Sequence, residues 1–221
     1  MNIIFDFLDY NTLYERCVMA SIVHAVMVGE YDLLSVGQSW DGSNYNFQNM
    51  EGIRGVISFA ENEYICTIQN NNNMYNAYIG QHVSEILNGA EASIINLANK
   101  EALQYMLIDH NGKTVPFISA AFWGSRGVNY SVQPEEQVIK ISEDTIMPFL
   151  YNENDAKMYW KDYYEMTEEQ IEFTEKIFKR RINVDGRLNL TVDEINKLKE
   201  WFDDIDECIE SFQELEIYLI S

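Results

Sequence analysis

The stretch from Ser35 to Asn70, SVGQSWDGSNYNFQNMEGIRGVISFAENEYICTIQN, constrains this chain more than any other. Asp41-Gly42 predicts a two-residue hairpin turn, because both central residues of a type I′ turn need positive φ. Tyr45 and Phe47 then alternate with Asn44, Asn46 and Gln48. Glu51-Gly52 predicts a second turn and Glu61-Asn62 a third. Between them lies the apolar run of Ile53, Val56, Ile57 and Phe59, and Tyr64, Cys66 and Ile68 follow in strict alternation. Strands at this spacing read as an antiparallel meander. One of its faces is apolar and has to be covered. Val56, Phe59 and Cys66 are expected to be buried there, against a helix carrying Val18, Ile22 and Val26.

That helix is predicted from Asn11, as its N-cap, to about Gly29. Leu13, Cys17, Ala20, His24 and Met27 follow helical spacing. Ile22, Val23 and Val26 widen the stripe to that of a largely buried helix. A histidine inside such a stripe is expected to be a hydrogen-bonded core residue. The uncharged run Cys17 to Gly29 is too short to span a bilayer. Asp6 and Asp9 stand where a signal peptide needs positive charge, so none is expected in MNIIFDFLDY.

Behind the meander, Asn70 to Asn73 predict a loop. Gln81 to Asn88 predict a short helix closed by Gly89. Glu91 to about Tyr105 predict another, with Ile94, Leu97, Ala98 and Leu103 inward. Asn111-Gly112 marks a turn, Thr114 to Trp123 a buried strand, and Gly124 to Gly127 a loop. Val128 to Val132 and Gln137 to Ile141 read as two further strands around Pro134.

From Ser142 onward the chain reads as helical, with Ser142 capping a short helix through Leu150. Two capping boxes, Thr167-Glu168-Glu169-Gln170 and Thr191-Val192-Asp193-Glu194, open longer helices. The first should run to about Arg181, with glutamates first and Lys179, Arg180 and Arg181 last, as the helix dipole prefers. The second carries Ile195, Leu198, Phe202, Ile205, Ile209 and Phe212 at heptad-like steps. Its partner stripe is Ile171, Thr174, Phe178 and Ile182. The fold class is therefore α+β, an antiparallel meander sheet covered by helices, with a helical C-terminal part built on an αα-hairpin. Charge divides the chain in the same place. Residues 1 to 140 hold 15 acids and 6 bases, whereas 141 to 221 hold 21 and 9. The expected organisation is a core domain over 1–141 and an acidic helical part over 142–221.

Hydrophobic residues make up 47% of the chain, which supports a sizeable core and opposes intrinsic disorder. The net charge of -21 opposes binding to nucleic acid and to anionic membranes. Cys17, Cys66 and Cys208 are odd in number and far apart, so neither a disulfide framework nor a zinc spacing is visible. Cys17 and Cys66, on apolar faces, read as buried thiols in a reducing cytoplasm. His24, His82 and His110 show no metal-ligand spacing. Asn183-Val184-Asp185-Gly186 invites an EF-hand reading. The first ligand position would be Arg181, however, and the glutamate position is Val192, so no calcium is expected there. With no GxGxxG and no Walker A sequence, no cofactor is expected either.

Two sets of residues remain as functional candidates. Ser125 and Arg126, in Gly124-Ser125-Arg126-Gly127, would suit an anion cradle. Trp123 stands where a nucleophile elbow needs glycine. Asp41, Glu51 and Arg54, near the meander turns, would suit acid–base chemistry. An enzyme of unknown type would place its pocket at one of these. The other reading is a non-enzymatic protein of immunity or inhibitor type that captures a basic protein. Asp203, Asp204, Asp206, Glu207, Glu210, Glu214 and Glu216 cluster within a few turns of helix, and Tyr159, Trp160, Tyr163 and Tyr164 lie upstream. Charge supplies on-rate to such a surface and aromatics supply affinity. Asp203, Asp204, Glu207, Glu210, Trp160 and Tyr163 are the residues expected to meet the partner.

Overall fold

The structure is a computed structural model that describes residues 1–72 and 83–219. Its strands are β1 (Asn2–Ile3), β2 (Gln38–Asp41), β3 (Asn44–Gln48), β4 (Ile53–Ala60), β5 (Glu63–Asn70), β6 (Leu107–His110), β7 (Lys113–Pro116), β8 (Ala120–Ser125), β9 (Val128–Ser131), β10 (Leu188–Leu190) and β11 (Ile217–Leu219). Its helices are α1 (Tyr10–Met27), α2 (Val83–Ile86), α3 (Ala92–Lys100), α4 (Glu135–Ser142), α5 (Met147–Leu150), α6 (Glu153–Tyr163), α7 (Glu168–Arg181), α8 (Val192–Trp201) and α9 (Asp206–Glu214). The main sheet is antiparallel, in the order β1-β9-β8-β5-β4-β3-β2. The fold is thus α+β with a helical C-terminal part. Contacts divide the chain into two compact units, Met1–Tyr14 with Asp41–Leu150, and Glu15–Trp40 with Tyr151–Ser221.

In the first unit, β3, β4 and β5 form the expected meander. Glu61 and Asn62 both take positive φ, at 23° and 67°, and close the two-residue hairpin between β4 and β5. The first turn falls one residue later than expected. Asp41 stays in β2, and Gly42, at φ 60°, takes the first central position, where a II′ turn needs its glycine. Between β3 and β4 the loop is longer. There the Asn49 side-chain oxygen accepts from the Glu51 and Ile53 amides at 2.9 and 3.0 Å.

The register decides what each face buries. Phe59 pairs with Tyr64 and Ile57 with Cys66, and all four point to one side. Val56 pairs with Thr67 and points to the other. Val56 therefore does not share the face of Phe59 and Cys66, as the sequence reading had it. Both faces are covered. On one, Phe5 stands edge-on to Phe122 at 5.1 Å, and Phe149 meets Tyr45 and Phe47 at 5.4 and 5.3 Å. On the other, Val56, Ile65 and Trp123 cluster with Ile94, Leu97 and Ala98 of α3. Leu103, in the 3-10 turn Ala102–Tyr105 after α3, joins them.

Several elements depart from expectation. Gln137 to Ile141 is helical, not a strand. The Pro134 carbonyl accepts from the Gln137 and Val138 amides, and Glu135 and Glu136 fill the first turn, where the dipole favours them. Val138 and Ile141, three apart, then share the buried side. Ser142 ends α4 instead of capping α5, because Glu143 and Asp144 follow in the left-handed region. Its hydroxyl donates back to the Ile139 carbonyl. Thr114 to Trp123 splits in two. β7 pairs with β6 in an outlying hairpin around Asn111-Gly112, and only β8 is buried throughout. The α1 cap is Asp9 and not Asn11, since the Asp9 carboxylate accepts from the Thr12 amide at 2.8 Å. Asn73, Gln81 and His82 lie outside the described residues, and the helix predicted around them is seen from Val83, with Gly89 at φ 86°.

In the second unit both capping boxes are formed as predicted, Thr167 with Gln170 and Thr191 with Glu194. The last helix is broken into α8 and α9. Phe202 is extended, and the Asp204 carboxylate accepts from the Asp206 amide at 2.9 Å, which starts α9 afresh. Phe202 and Ile205 stay buried across the break. β10 and β11 pair in parallel, a ladder with no signal in the sequence reading. Cys208 donates its thiol to the Val26 carbonyl at 3.4 Å. Cys17, Cys66 and Cys208 are buried thiols outside any disulfide, and burial raises the Cys66 and Cys208 thiols above their ordinary range. His24 is the hydrogen-bonded core residue expected. Its Nδ1 lies 3.1 Å from the Tyr164 hydroxyl, and burial lowers the ring to about 4, against the Ser35 carbonyl, which favours its charged form. Among the described residues no helix is long and apolar enough to cross a membrane.

Candidate functional site

The pocket candidates of the first unit do not converge. Asp41 sits at one end of β3, where its carboxylate accepts from the Tyr105 hydroxyl at 2.6 Å. Burial first, then that carboxylate, push the Tyr105 hydroxyl up to about 12. Asn44 donates to the Asp41 carbonyl and to the Glu101 carboxylate, both at 3.0 Å. Arg54 pairs with Gln48 at the other end of β3, roughly 13 Å away at the strand's rise. Its guanidinium donates to the Gln69 side chain and to the Leu107 carbonyl, and burial lowers it somewhat. Glu51 is exposed in the loop before it.

Ser125 and Arg126 each face a carboxylate. Buried Ser125 donates to Glu63 at 2.9 Å, and exposed Arg126 reaches Glu91 at 3.4 Å. The turn itself is Arg126-Gly127, at φ 55° and 75°, while Gly124 lies inside β8. A Cβ at Gly124 would meet Tyr64 Cζ at 2.7 Å and Asn129 Oδ1 at 2.8 Å. That oxygen accepts from the Tyr64 hydroxyl, and the Asn129 amide donates to the Phe5 and Leu8 carbonyls. Gly124→Ala should therefore cost about 1–3 kcal/mol, as overpacking does. An unchanged denaturation midpoint would show that Tyr64 gives way freely. Beside Gly124 and Gly127 lies a cavity of about 170 Å3, smaller than the roughly 300–1,000 Å3 of ligand pockets.

The second unit gathers the other candidates differently. Trp160 is only 3% exposed and belongs to the core. Tyr163 is 54% exposed. It stacks on Tyr159 at 5.7 Å and stands edge-on to Tyr164 at 4.7 Å. Buried Tyr164 lies 6.4 Å from Tyr31, which opens the 3-10 turn Asp32–Gly37. This turn has no buried residue, and α9 lies against it. Leu33 is 83% exposed there and Val36 58%. Asp203, Asp204, Asp206 and Glu210 are exposed, and Glu207 is half-buried. Among the described residues no base is ion-paired with any of these five. No Lys or Arg follows Lys199 in the sequence. α9, which carries Asp206, Glu207 and Glu210, thus lies against the turn that carries these exposed apolar side chains. Sequence reasoning missed Leu33 and Val36, whose run DLLSVG fits neither a helix nor a strand pattern.

A groove of about 400 Å3 runs between α7 and α8. Phe173 and Trp201 meet edge-on in it at 5.1 Å. Lys197 lies 5.6 Å from the Trp201 ring centre and bonds Glu169 at 2.7 Å and Glu200 at 3.0 Å. Glu194 is 2% exposed. Both its oxygens accept from Arg180 at 2.7 Å, and Lys176 lies at 3.2 Å. Desolvation works to raise the Glu194 carboxyl, but Arg180, the Thr191 amide and Lys176 outweigh it and hold it below its ordinary value. The signal for the groove was in the sequence. Glu169, Glu172, Phe173 and Lys176 fall on one helix face, and so do Asp193, Lys197 and Trp201.

At the positions weighed for calcium, Arg181 donates to the Leu215 and Val184 carbonyls at 2.7 and 3.0 Å, and Val192 is exposed. Among the described residues no three His, Cys, Asp or Glu side chains are grouped to hold a metal ion. Compared with protein-family models, with curated proteins and with solved structures, the chain matches none.

Proposed function

We propose that this chain is a non-enzymatic binding protein that captures a basic protein partner on its second unit, in the manner of an immunity or inhibitor protein. The observation that carries the reading is the run of acids from Asp203 to Glu210, none ion-paired to a described base, whose helix α9 lies against the turn that carries exposed Leu33 and Val36. Unpaired acids on a surface attract a basic partner over about 8 Å at physiological salt and raise its rate of encounter. Apolar side chains at the same place supply contact area that charge alone lacks. Exposed Tyr163 adds an aromatic side chain to the contact, while buried Trp160 takes no part in it. The buried thiols, outside any disulfide, fit a reducing cytoplasm, and the net charge of -21 disfavours nucleic acid as the partner.

The test is affinity capture from the source lysate at low and high salt, followed by kinetics with the captured protein. Asp203→Lys with Glu207→Lys should slow association about tenfold and shift stability by no more than about 0.5 kcal/mol. If the double variant and high salt retain every captured protein equally well, the charge serves solubility and the proposal fails.

A further inference from the structure

We infer that the groove between α7 and α8 receives the guanidinium of an arginine side chain. The identity of the molecule presenting that arginine rests on the proposed basic partner, but the chemistry of the groove stands apart from it.

The argument begins with charge. Every described base in or beside the groove already has a carboxylate. Lys197 is held by Glu169 and Glu200, and Lys176 and Arg180 by Glu194. Two acids that line the groove, Glu172 on α7 and Asp193 on α8, have no base among the described residues and are exposed. The charge left over in the groove is therefore negative and comes from both walls. A cation is the occupant that this imbalance favours, and an anion is repelled.

The aromatic side chains narrow the choice. Phe173 and Trp201 line the same groove, edge-on to each other. A cation within about 6 Å of an indole ring is attracted by its face, and Trp is the best of the aromatic partners. Lys197 stands at 5.6 Å, near that limit, and is already tied to two carboxylates. A guanidinium is planar and weakly hydrated. It stacks on an aromatic face while its N–H edge bonds carboxylates in the ring plane, which an ammonium cannot do. Trp201 and Glu172, which line the same groove, offer the two halves of that recognition, and Asp193, about two turns before Trp201 on α8, adds negative charge further along it. The groove, at about 400 Å3, is also large enough for one such side chain.

The experiment needs no partner. The full chain is titrated with N-acetyl-arginine amide and followed by the Trp201 indole NMR signal, assigned through Trp201→Phe. Citrulline and lysine analogues serve as the neutral isostere and the ammonium control. Saturable shifts should appear with the arginine probe and be at least tenfold weaker with either control. Glu172→Gln with Asp193→Asn should weaken the arginine probe about tenfold while leaving the melting temperature in place. An unmoved or non-saturating indole signal overturns the inference. Equal binding of the citrulline analogue overturns it in favour of apolar adsorption, and equal binding of the lysine analogue overturns it in favour of plain charge attraction. Because these probes bypass Asp203 and Glu207, failure here leaves the α9 surface untouched, and failure of the charge-reversal kinetics leaves the groove untouched.

Discussion

Replacing Phe59 by Ala should destabilise the first unit by about 3 to 5 kcal/mol, the cost of deleting a buried phenyl ring. Phe59 lies on β4 one residue before its end, beside the two-residue turn that fixes the register with β5. Its ring meets Tyr10 edge-on at 5.6 Å and Tyr14 at 5.3 Å, and Tyr64 lies across the strand pair at 6.2 Å. Edge-to-face pairs of this kind add to the area term. Tyr10 is half-buried and Tyr14 exposed, so they can lean into the space, and the lower end of the range is the better expectation. The measurement is the urea midpoint of the variant at unchanged m. Phe59→Leu, which keeps most of the volume, should cost less than about 1.5 kcal/mol. A loss below about 1 kcal/mol for Phe59→Ala would mean that the three tyrosines fill the hole completely.

The meander was legible because its signals are local. A turn that needs two positive φ values selects residues such as Glu61-Asn62 by their neighbours alone, and capping boxes such as Thr167 to Gln170 close within one helical turn. Period was less reliable. Alternation in β5 suggested one buried face, yet Ile65, Thr67 and Gln69 on the opposite side are buried too: Ile65 packs with α3, Gln69 donates to the Phe117 carbonyl, and the Thr67 hydroxyl is buried with no hydrogen-bond partner among the described residues. Gln137 to Ile141 looked like a strand from its β-branched residues, but Pro134 and two glutamates favour a helix start more strongly. The stripe from Ile195 to Phe212 kept its spacing across a break, since Phe202 and Ile205 are buried whether or not their backbone is helical. No composition shift reveals that a single helix, α1, contributes Tyr10 to one unit and His24 to the other.

The candidate surface was half legible for the same reason. Acids without neighbouring bases show in the sequence directly. Which of Trp160 and Tyr163 faces outward depends on the packing of α6, and the two, three residues apart, had equal claims until that packing was known. Leu33 and Val36 gave no periodic signal because a short 3-10 turn has none to give.

Glu194→Ala should cost the second unit about 3 kcal/mol, the low end of the range for breaking a buried ion pair. The carboxylate holds three residues at once. It receives both 2.7 Å bonds from Arg180 of α7, closes the capping box on the Thr191 amide at 2.8 Å, and stands before Lys176 at 3.2 Å. Its loss would leave Arg180 with the Asn189 carbonyl, at 2.6 Å, as its remaining bond. Arg180 and Lys176 are both partly open to water, so they rehydrate in part, which is why the low end applies. Glu194→Gln keeps an oxygen for the Thr191 amide and should lose less, about 1.5 to 3 kcal/mol for the charged bonds to Arg180. The pH dependence separates the ion pair from mere packing. Glu194 ionises below its ordinary value in the folded chain. Its contribution is therefore fully present above the unfolded value of about 4.3 and is lost as pH falls through the lower folded value. The gap in stability between the wild type and Glu194→Gln should stay constant from neutral pH down to about 5 and close below about 4. A gap that persists unchanged well below that point would assign the loss to side-chain packing, and the bridge between α7 and α8 would then owe nothing to charge.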